Sequence, residues 1–253
     1  MNSRQIQIVE MATQQGEILV QDLAEHFGVS DMTIRRDLAA LEDAGELHRT
    51  YGGAVLSSAG VVEFAFKSRE RLHAQQKKAI AACAVEHINP GMTISLDTGT
   101  TTMEVARAIG GIKDLRVLTC SLPVASILYA NPNIELVLLG GTVRPGNPDM
   151  SGWLTETNLQ QFRVDFALLG ADAADPDGIY TIDTNVARVS QCMAFGAAST
   201  MLVLDHSKFD HTAFVRYAKW EDINIVITDS GTDTNSRKWL KKTGRTIIYA
   251  EIS

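Results

Sequence analysis

Val29-Ser30-Asp31-Met32-Thr33-Ile34-Arg35-Arg36-Asp37-Leu38 reads as a short helix with an apolar stripe inward and a pair of arginines outward. Ser30 carries the short oxygen-bearing side chain that caps a helix N-terminus. With the helix starting there, Ile34, Leu38 and Leu41 fall on one side at i, i+4 and i+7, while Met32, Thr33, Arg35 and Arg36 point the other way. A helix that only packs a core rarely places adjacent arginines there. Upstream, Val20-Gln21-Asp22-Leu23-Ala24-Glu25-His26-Phe27-Gly28 predicts a second short helix ended by Gly28. Helix, tight turn, helix is the geometry that enters a DNA major groove.

The flanking sequence completes the unit. Ser3 to Gln15 carries Ile6, Val9, Met11 and Ala12 on a helical period and stops at Gly16, and Glu17 to Val20 follows as a short strand. Gly45 closes the arginine-bearing helix, after which Glu46 to Val55 alternates around Gly52-Gly53 as a hairpin does. Three helices and a hairpin predict a small winged helix-turn-helix domain over residues 1–57. Ser57-Ser58-Ala59-Gly60 has no apolar period and leads into a connector expected over 58–73.

From residue 74 the texture changes to short apolar runs: Thr93 to Leu96, Val117 to Thr119, Ile134 to Leu139, Val164 to Leu169, Met201 to Leu204, Ile223 to Thr228 and Thr246 to Tyr249. With helical stretches between several of them, they predict a larger three-layer α/β domain over 74–253, its parallel-rich sheet covered on both faces. Ligands of such folds sit where strands end.

Composition narrows the function classes. Of the 253 residues, 45% are apolar, enough for a sizeable core. Cys83, Cys120 and Cys192 are odd in number and far apart with no C-x-x-C pair, so they indicate neither a disulfide framework nor a zinc site, and no metal or cofactor is expected. A reducing cytoplasm suits them. No N-terminal segment resembles a signal peptide and no apolar run approaches bilayer length, so no membrane partner is expected. The net charge of −7 excludes a globally basic nucleic-acid binder. Residues 1–57 hold four arginines against nine carboxylates, a balance of −5. DNA contact therefore requires Arg35, Arg36 and Arg49 to be segregated on one face, since phosphate neutralisation is local. Residues 63–78 lean the other way, at +3.

Leu96-Asp97-Thr98-Gly99-Thr100-Thr101-Thr102 lies where a strand gives way to a helix. Free amides, a helix dipole of roughly half a charge and several hydroxyls there make an anion cradle suited to phosphate, and Gly99 admits close approach. Asp97 has the wrong sign for phosphate and is assigned to sugar hydroxyls. The plainer reading is a threonine-rich cap with no ligand. Gly140-Gly141-Thr142-Val143-Arg144 follows another strand and offers a guanidinium fork for phosphate, against the alternative of a turn with a solvated arginine. Asp205-His206-Ser207-Lys208-Phe209 supplies groups that would complete a polyol-phosphate pocket, Asp205 and Lys208 foremost. A catalytic Ser207–His206 pair is disfavoured, because loop neighbours seldom reach hydrogen-bond geometry. Asp165 and Asp172 bracket the end of a buried strand, and Asp175 and Asp177 read as a solvated loop after it. Arg237, Lys238, Lys241, Lys242 and Arg245 read as the wet face of a late helix.

On these residues the chain resembles the DeoR family of bacterial transcriptional regulators nearly end to end. The N-terminal signature is Val29-Ser30, Thr33-Ile34-Arg35-Arg36-Asp37-Leu38, Leu41 and Tyr51-Gly52-Gly53-Ala54. The larger domain adds Asp97-Thr98-Gly99-Thr100-Thr101, Gly140-Gly141 with Arg144, Asp165 with Gly170, Asp205 to Phe209, and Thr228-Asp229. The resemblance implies a repressor of a carbohydrate catabolic operon, with a double-stranded DNA operator and a phosphorylated sugar effector as partners. It also implies a homo-oligomer, dimer or tetramer, and a sensor domain similar to ribose-5-phosphate isomerase. An isomerase-like enzyme with an accessory N-terminal domain is the rival reading. Against it, Leu169 stands where those enzymes' Asp-Gly-Ala-Asp motif begins with an acid, which leaves Asp172 without a partner and predicts binding without turnover. Two segments depart from the family: Thr184 to Ser190, where acidic residues and a Val-Lys step are common, and Asp210-His211, where a glycine and a basic residue are usual. On the DNA face, Arg35 and Arg36 are expected to divide base edges and phosphate with Met32 beside them. Ser30 and Thr33 add hydroxyls, and His48 or Arg49 of the wing touches the backbone.

Overall fold

The computed structural model describes residues 1–15, 17–50, 52–56, 66, 69–144 and 147–252. They form two compact units, one built from the chain up to Arg69 and one from Glu70–Arg144 and Pro148–Ser253. Tyr51 and most of the connector expected over 58–73 lie outside the described residues.

The first unit comprises α1 (Ser3–Gln15), β1 (Glu17–Leu19), α2 (Val20–Phe27), α3 (Asp31–Asp43), β2 (Leu47–Thr50) and β3 (Gly53–Leu56). Val20, shared in the sequence reading by the strand and the helix after it, opens α2, and Gly28 ends that helix at φ 62°. Ile34, Leu38 and Leu41 of α3 are buried in one core with Ile8, Val9, Leu23 and Leu47. Burying this stripe holds the helices together, since three short helices would not persist alone. Strand β3 lies between β1 and β2 and is antiparallel to both. A Cβ at Gly53 would collide with the Ile18 carbonyl, so β1 and β3 approach this closely only because residue 53 has no side chain.

The second unit runs α4 (Ala74–Val85), β4 (Thr93–Leu96), α5 (Thr100–Ala108), β5 (Leu115–Thr119), α6 (Leu122–Leu128), β6 (Ile134–Leu138), β7 (Thr142–Val143), β8 (Met150–Ser151), α7 (Trp153–Leu159), β9 (Val164–Leu169), β10 (Ala173–Asp175), β11 (Gly178–Thr181), α8 (Thr184–Gly196), β12 (Ala197–Val203), β13 (Val215–Ala218), β14 (Ile225–Asp229), α9 (Thr234–Lys242) and β15 (Thr246–Ala250). The seven apolar runs become one seven-stranded sheet, ordered β6-β5-β4-β9-β12-β14-β15, with every pairing parallel. Successive residues of a strand face opposite sides, so the consecutive buried residues Ile94 to Leu96 and Val226 to Asp229 mean that both faces are covered. Helix α4 packs on β14 and β15, and α8 on β9 and β12.

The strand order locates a site before any side chain is considered. From β4 the chain lays β5 and β6 on one side, then returns to place β9, β12, β14 and β15 on the other. The connections after β4 and β9 therefore diverge, and the crevice between such loops is where open α/β sheets bind ligands.

Two pieces go beyond the apolar runs. Strands β10, β11 and β13 form a small antiparallel sheet, and β7 pairs with β8. Asp175 and Asp177, expected in a solvated loop, sit in a tight hairpin: Asp175 Oδ1 accepts the amides of Asp177 (2.8 Å) and Gly178 (3.1 Å). Asp175-Pro176-Asp177-Gly178 is a recognisable turn signal that marks this hairpin. No helix among the described residues is long and apolar enough to cross a membrane.

Candidate functional site

The face carrying the arginines is held from below. Ser30 Oγ accepts the Thr33 amide (3.3 Å) and lies 3.0 Å from Thr33 Oγ1, which pins the first turn of α3. Met32, Arg35 and Arg36 are exposed. Neither guanidinium makes an ion pair or hydrogen bond among the described residues. Asp37, next in sequence, turns inward and accepts Arg4 Nε (2.6 Å) and Gln5 Nε2 (3.2 Å), tying α1 to α3. Part of the unit's acidic balance is thus cancelled away from the arginines. The signal for this tie is spacing: Asp37 shares the buried side with Ile34 and Leu41 at i−3 and i+4. On the wing, His48 and Arg49 are exposed. The Arg49 amide donates to Glu42 (3.0 Å), while its guanidinium stands 3.8 Å from that carboxylate. An exposed pair this loose is worth about 0–1 kcal/mol and yields easily to phosphate.

At the switch point the Asp97 amide donates to the Leu168 carbonyl (3.0 Å), carrying the β4–β9 ladder one residue past β4. Gly99 then adopts φ 131°, a conformation that side chains rarely tolerate, and α5 starts without a side-chain cap. The amides of Gly99 and Thr101 and the hydroxyls of Thr98 and Thr101 have no partner among the described residues. All four residues from Thr98 to Thr101 are partly accessible. Thr102 departs from expectation: it is fully buried, and its hydroxyl donates to the carbonyls of Asp97 (2.8 Å) and Gly99 (3.1 Å), locking the turn from behind. Asp97, expected on sugar hydroxyls, also braces the loop from within. Its Oδ1 accepts the Thr98 amide (2.7 Å) and its Oδ2 accepts Ser190 Oγ of α8 (3.0 Å) and the Gly170 amide (3.3 Å). Burial pushes the Asp97 carboxyl up to about 6, against the pull of these three hydrogen bonds.

Arg144 also departs from expectation, because its fork is engaged by carboxylates. Nε and Nη2 hold Asp149 Oδ1 and Oδ2 (2.5 and 2.6 Å), and Nη1 holds Asp183 Oδ2 (2.8 Å). Burial opposes the guanidinium charge, but hydrogen bonds and charge from Asp149 and Asp183 outweigh it and hold the group charged above its ordinary range. Gly140 and Gly141 serve packing: the Gly140 carbonyl accepts Thr155 Oγ1 (2.9 Å), and a Cβ on Gly141 would collide with that hydroxyl. Asp172 Oδ2 accepts Thr181 Oγ1 (2.8 Å) and the Ile182 amide (3.0 Å). Leu169, in place of a second acid, is buried in the core. Beyond β12, Asp205 is buried, and Lys208 is half-buried with its ammonium unpaired among the described residues.

The two departures from the family pattern have physical accounts. Asp210 takes φ 57° where a glycine is usual, and its carboxylate accepts Trp239 Nε1 (2.9 Å), Ser236 Oγ (3.0 Å) and Asn235 Nδ2 (3.2 Å), so it steadies α9 and not the cradle. Thr184 to Ser190 opens α8, which Asp183 caps through the amides of Asn185 (2.7 Å) and Val186 (3.4 Å) and which delivers Ser190 to Asp97. In the same stretch Arg188 pairs with Glu156 (2.6 Å).

Residues 4–59 match the family model described as a DeoR-like helix-turn-helix domain, and residues 72–230 match that of the DeoR C terminal sensor domain. The chain belongs to the DeoR family. The glycerol-3-phosphate regulon repressor of Escherichia coli (strain K12) is 35% identical over 224 residues, covering 88% of each chain. The HTH-type transcriptional regulator GlpR of Haloferax volcanii is 35% identical over 246 residues, covering 97% of this chain and 96% of that one. The HTH-type transcriptional repressor CsqR of Escherichia coli (strain K12) is 35% identical over 229 residues, covering 90% and 87%. These relatives are named as transcriptional regulators or repressors and align over most of both chains, and this chain is a transcriptional regulator and not an enzyme. Among solved structures, a D-ribose-5-phosphate isomerase aligns over 53% of each chain at 21% identity with a TM-score of 0.39.

Proposed function

We propose that this DeoR-family protein represses genes of carbohydrate catabolism from a double-stranded operator, and that a phosphorylated sugar held by its larger unit sets its affinity for that DNA. On the DNA side, Arg35 and Arg36 carry base and phosphate contacts, Ser30, Met32 and Thr33 complete the α3 face, and His48 and Arg49 meet the backbone. One observation carries the effector side: the amides of Gly99 and Thr101 and the hydroxyls of Thr98 and Thr101, without a partner among the described residues, lie at the N-terminus of a nine-residue helix, at the switch point of a parallel sheet. A phosphate accepts hydrogen bonds only and is anionic, which that helix end favours. Thr100 belongs to the same turn, and Lys208 supplies a cation from beyond β12, two strands from β4 in the sheet, with Asp172 and Asp205 on the sugar side. That a relative is named for a glycerol-3-phosphate regulon supports a small phosphate ester. A cytoplasmic homo-oligomer presenting paired headpieces to two half-sites fits this reading.

Fluorescence anisotropy of the full chain on the DNA upstream of its own gene, across a salt series and a panel of sugars with and without phosphate, tests the proposal. Affinity should fall steeply with salt, and a sugar phosphate, but not its parent sugar, should shift it by about 5- to 150-fold. Salt-insensitive or absent DNA binding, or a panel in which no phosphate ester changes affinity, refutes it.

A further inference from the structure

Beyond the cradle, the segment after β12 brings two imidazoles and a carboxylate together. A ring nitrogen each from His73 and His206 and a carboxylate oxygen from Asp205 lie within 4.8 Å of one another. Each arrives by a separate constraint. His73 precedes α4 at φ 54° and ψ 37°, left-handed backbone that an L residue adopts at some cost, and its ring meets that of His206 edge to face at 5.0 Å. Asp205 is only 1% exposed; its Oδ1 accepts the Ser207 amide (3.0 Å) and hydroxyl (2.5 Å), while Oδ2 has no donor among the described residues. His206 is aimed by Asp229, a fully buried carboxylate that takes the His206 amide (2.8 Å), the His206 Nδ1 (2.8 Å) and the Gly231 amide (3.0 Å). A carboxylate only accepts, so a neutral His206 ring keeps its proton on Nδ1 and offers the Nε2 lone pair on its far side.

A carboxylate behind an imidazole and a lone pair in front is how metal-binding histidines are oriented. We infer that His73, Asp205 and His206 form a site for a divalent transition-metal ion of the zinc class. Two imidazole nitrogens and one carboxylate oxygen suit Zn²⁺, Co²⁺ or Ni²⁺ over Mg²⁺ and Ca²⁺, which prefer all-oxygen cages. Bonds of about 2.0–2.2 Å around such an ion require the three donors to draw closer by a small rotation of the half-buried rings. Three protein ligands leave a position for water or for an oxygen of a bound molecule. A purely structural His206–Asp229 pair needs neither His73 nor an unpartnered oxygen on Asp205. His73 and His206 stand far apart in sequence, outside any short ligand motif, so only the fold brings them together.

Chelator-treated full-length protein titrated with ZnCl₂ by calorimetry, and with CoCl₂ by visible absorption, tests the site. One saturable Zn²⁺ per chain, a raised melting temperature and a Co²⁺ ligand-field spectrum are expected. His73→Asn, which keeps a residue tolerant of left-handed backbone, and His206→Gln should each weaken Zn²⁺ binding by more than about tenfold. Asp229→Asn, which touches no metal, should weaken it about 10- to 100-fold. Absence of saturable Zn²⁺ binding, or binding unchanged in His73→Asn, overturns the assignment; the second criterion decides the matter even if His206→Gln fails to fold.

Discussion

Replacing Arg144 with methionine asks whether this side chain holds the larger unit together or is poised for a phosphate. The guanidinium is 9% exposed and makes two bonds to Asp149 and one to Asp183. Removing it strands Asp149, whose buried carboxylate has no other side-chain partner among the described residues, whereas Asp183 keeps the amides of Asn185 and Val186. Breaking a buried pair from one side costs about 3–5 kcal/mol, and for a unit of this size each kcal/mol lowers the melting temperature by about 2–4 °C. Differential scanning calorimetry should therefore show the larger unit's transition falling by about 6–20 °C. A second change, Asp149→Asn, removes the stranded charge and should restore more than half of that loss, since neutral replacements of buried ion pairs are often near neutral overall. A drop below about 2 °C, coupled to complete loss of sugar-phosphate affinity, would refute this reasoning and return Arg144 to the phosphate.

Gly53→Ala drives a Cβ into the Ile18 carbonyl and should abolish operator binding while leaving the larger unit's calorimetric transition intact; normal binding by this variant would contradict the close β1–β3 approach. Arg35→Ala removes an exposed, unpaired guanidinium, so stability should stay within about 0.5 kcal/mol while operator affinity or base preference falls by about 1–3 kcal/mol, read by anisotropy on operator variants. Asp97 titrates at about 6 in the folded chain, above the unfolded value of about 3.9, so the fold favours its neutral form. Its contribution is fully present below about pH 4 and is lost as pH rises to about 6, about 3 kcal/mol in all. Unfolding free energies of wild type and Asp97→Asn compared from acid to neutral pH check this, and a difference that stays flat across the window excludes it.

What was legible in the sequence was whatever repeats locally. The i, i+4, i+7 stripe of α3 and the seven apolar runs are statements about neighbours in the chain, and the stripe is buried and the runs pair in one sheet. The β10-β11-β13 sheet was not legible because its strands are three and four residues long, too short to show a period, and because β11 finds β13 only after α8 and β12 intervene. Polar residues were hardest. A sequence states what Asp37, Asp97, Thr102 or Arg144 can bind, but which group stands within reach is decided by chain folded in from elsewhere: Arg4 for Asp37, Ser190 and Gly170 for Asp97, Asp183 for Arg144.

These inward-turned groups form one connected set. Asp149 holds Arg144, Arg144 holds Asp183, Asp183 caps α8, and α8 presents Ser190 to Asp97, which also grips the amides of Thr98 and Gly170 on either side of the switch point. The bonds of Arg144 to Asp149 and Asp183 and of Ser190 to Asp97 are buried or half-buried at 2.5–3.0 Å, so the loop that offers the amides of Gly99 and Thr101 is braced without a ligand, and little ordering is left to oppose binding of an anion there. The same links give an anion at that loop a physical lever. Negative charge placed beside the buried Asp97 carboxyl disfavours its ionised form, and the bonds from Ser190 and Gly170 weaken with that charge. An anion bound there as proposed would thereby act on helix α8, through the hydrogen bonds of Ser190 and Gly170 to Asp97.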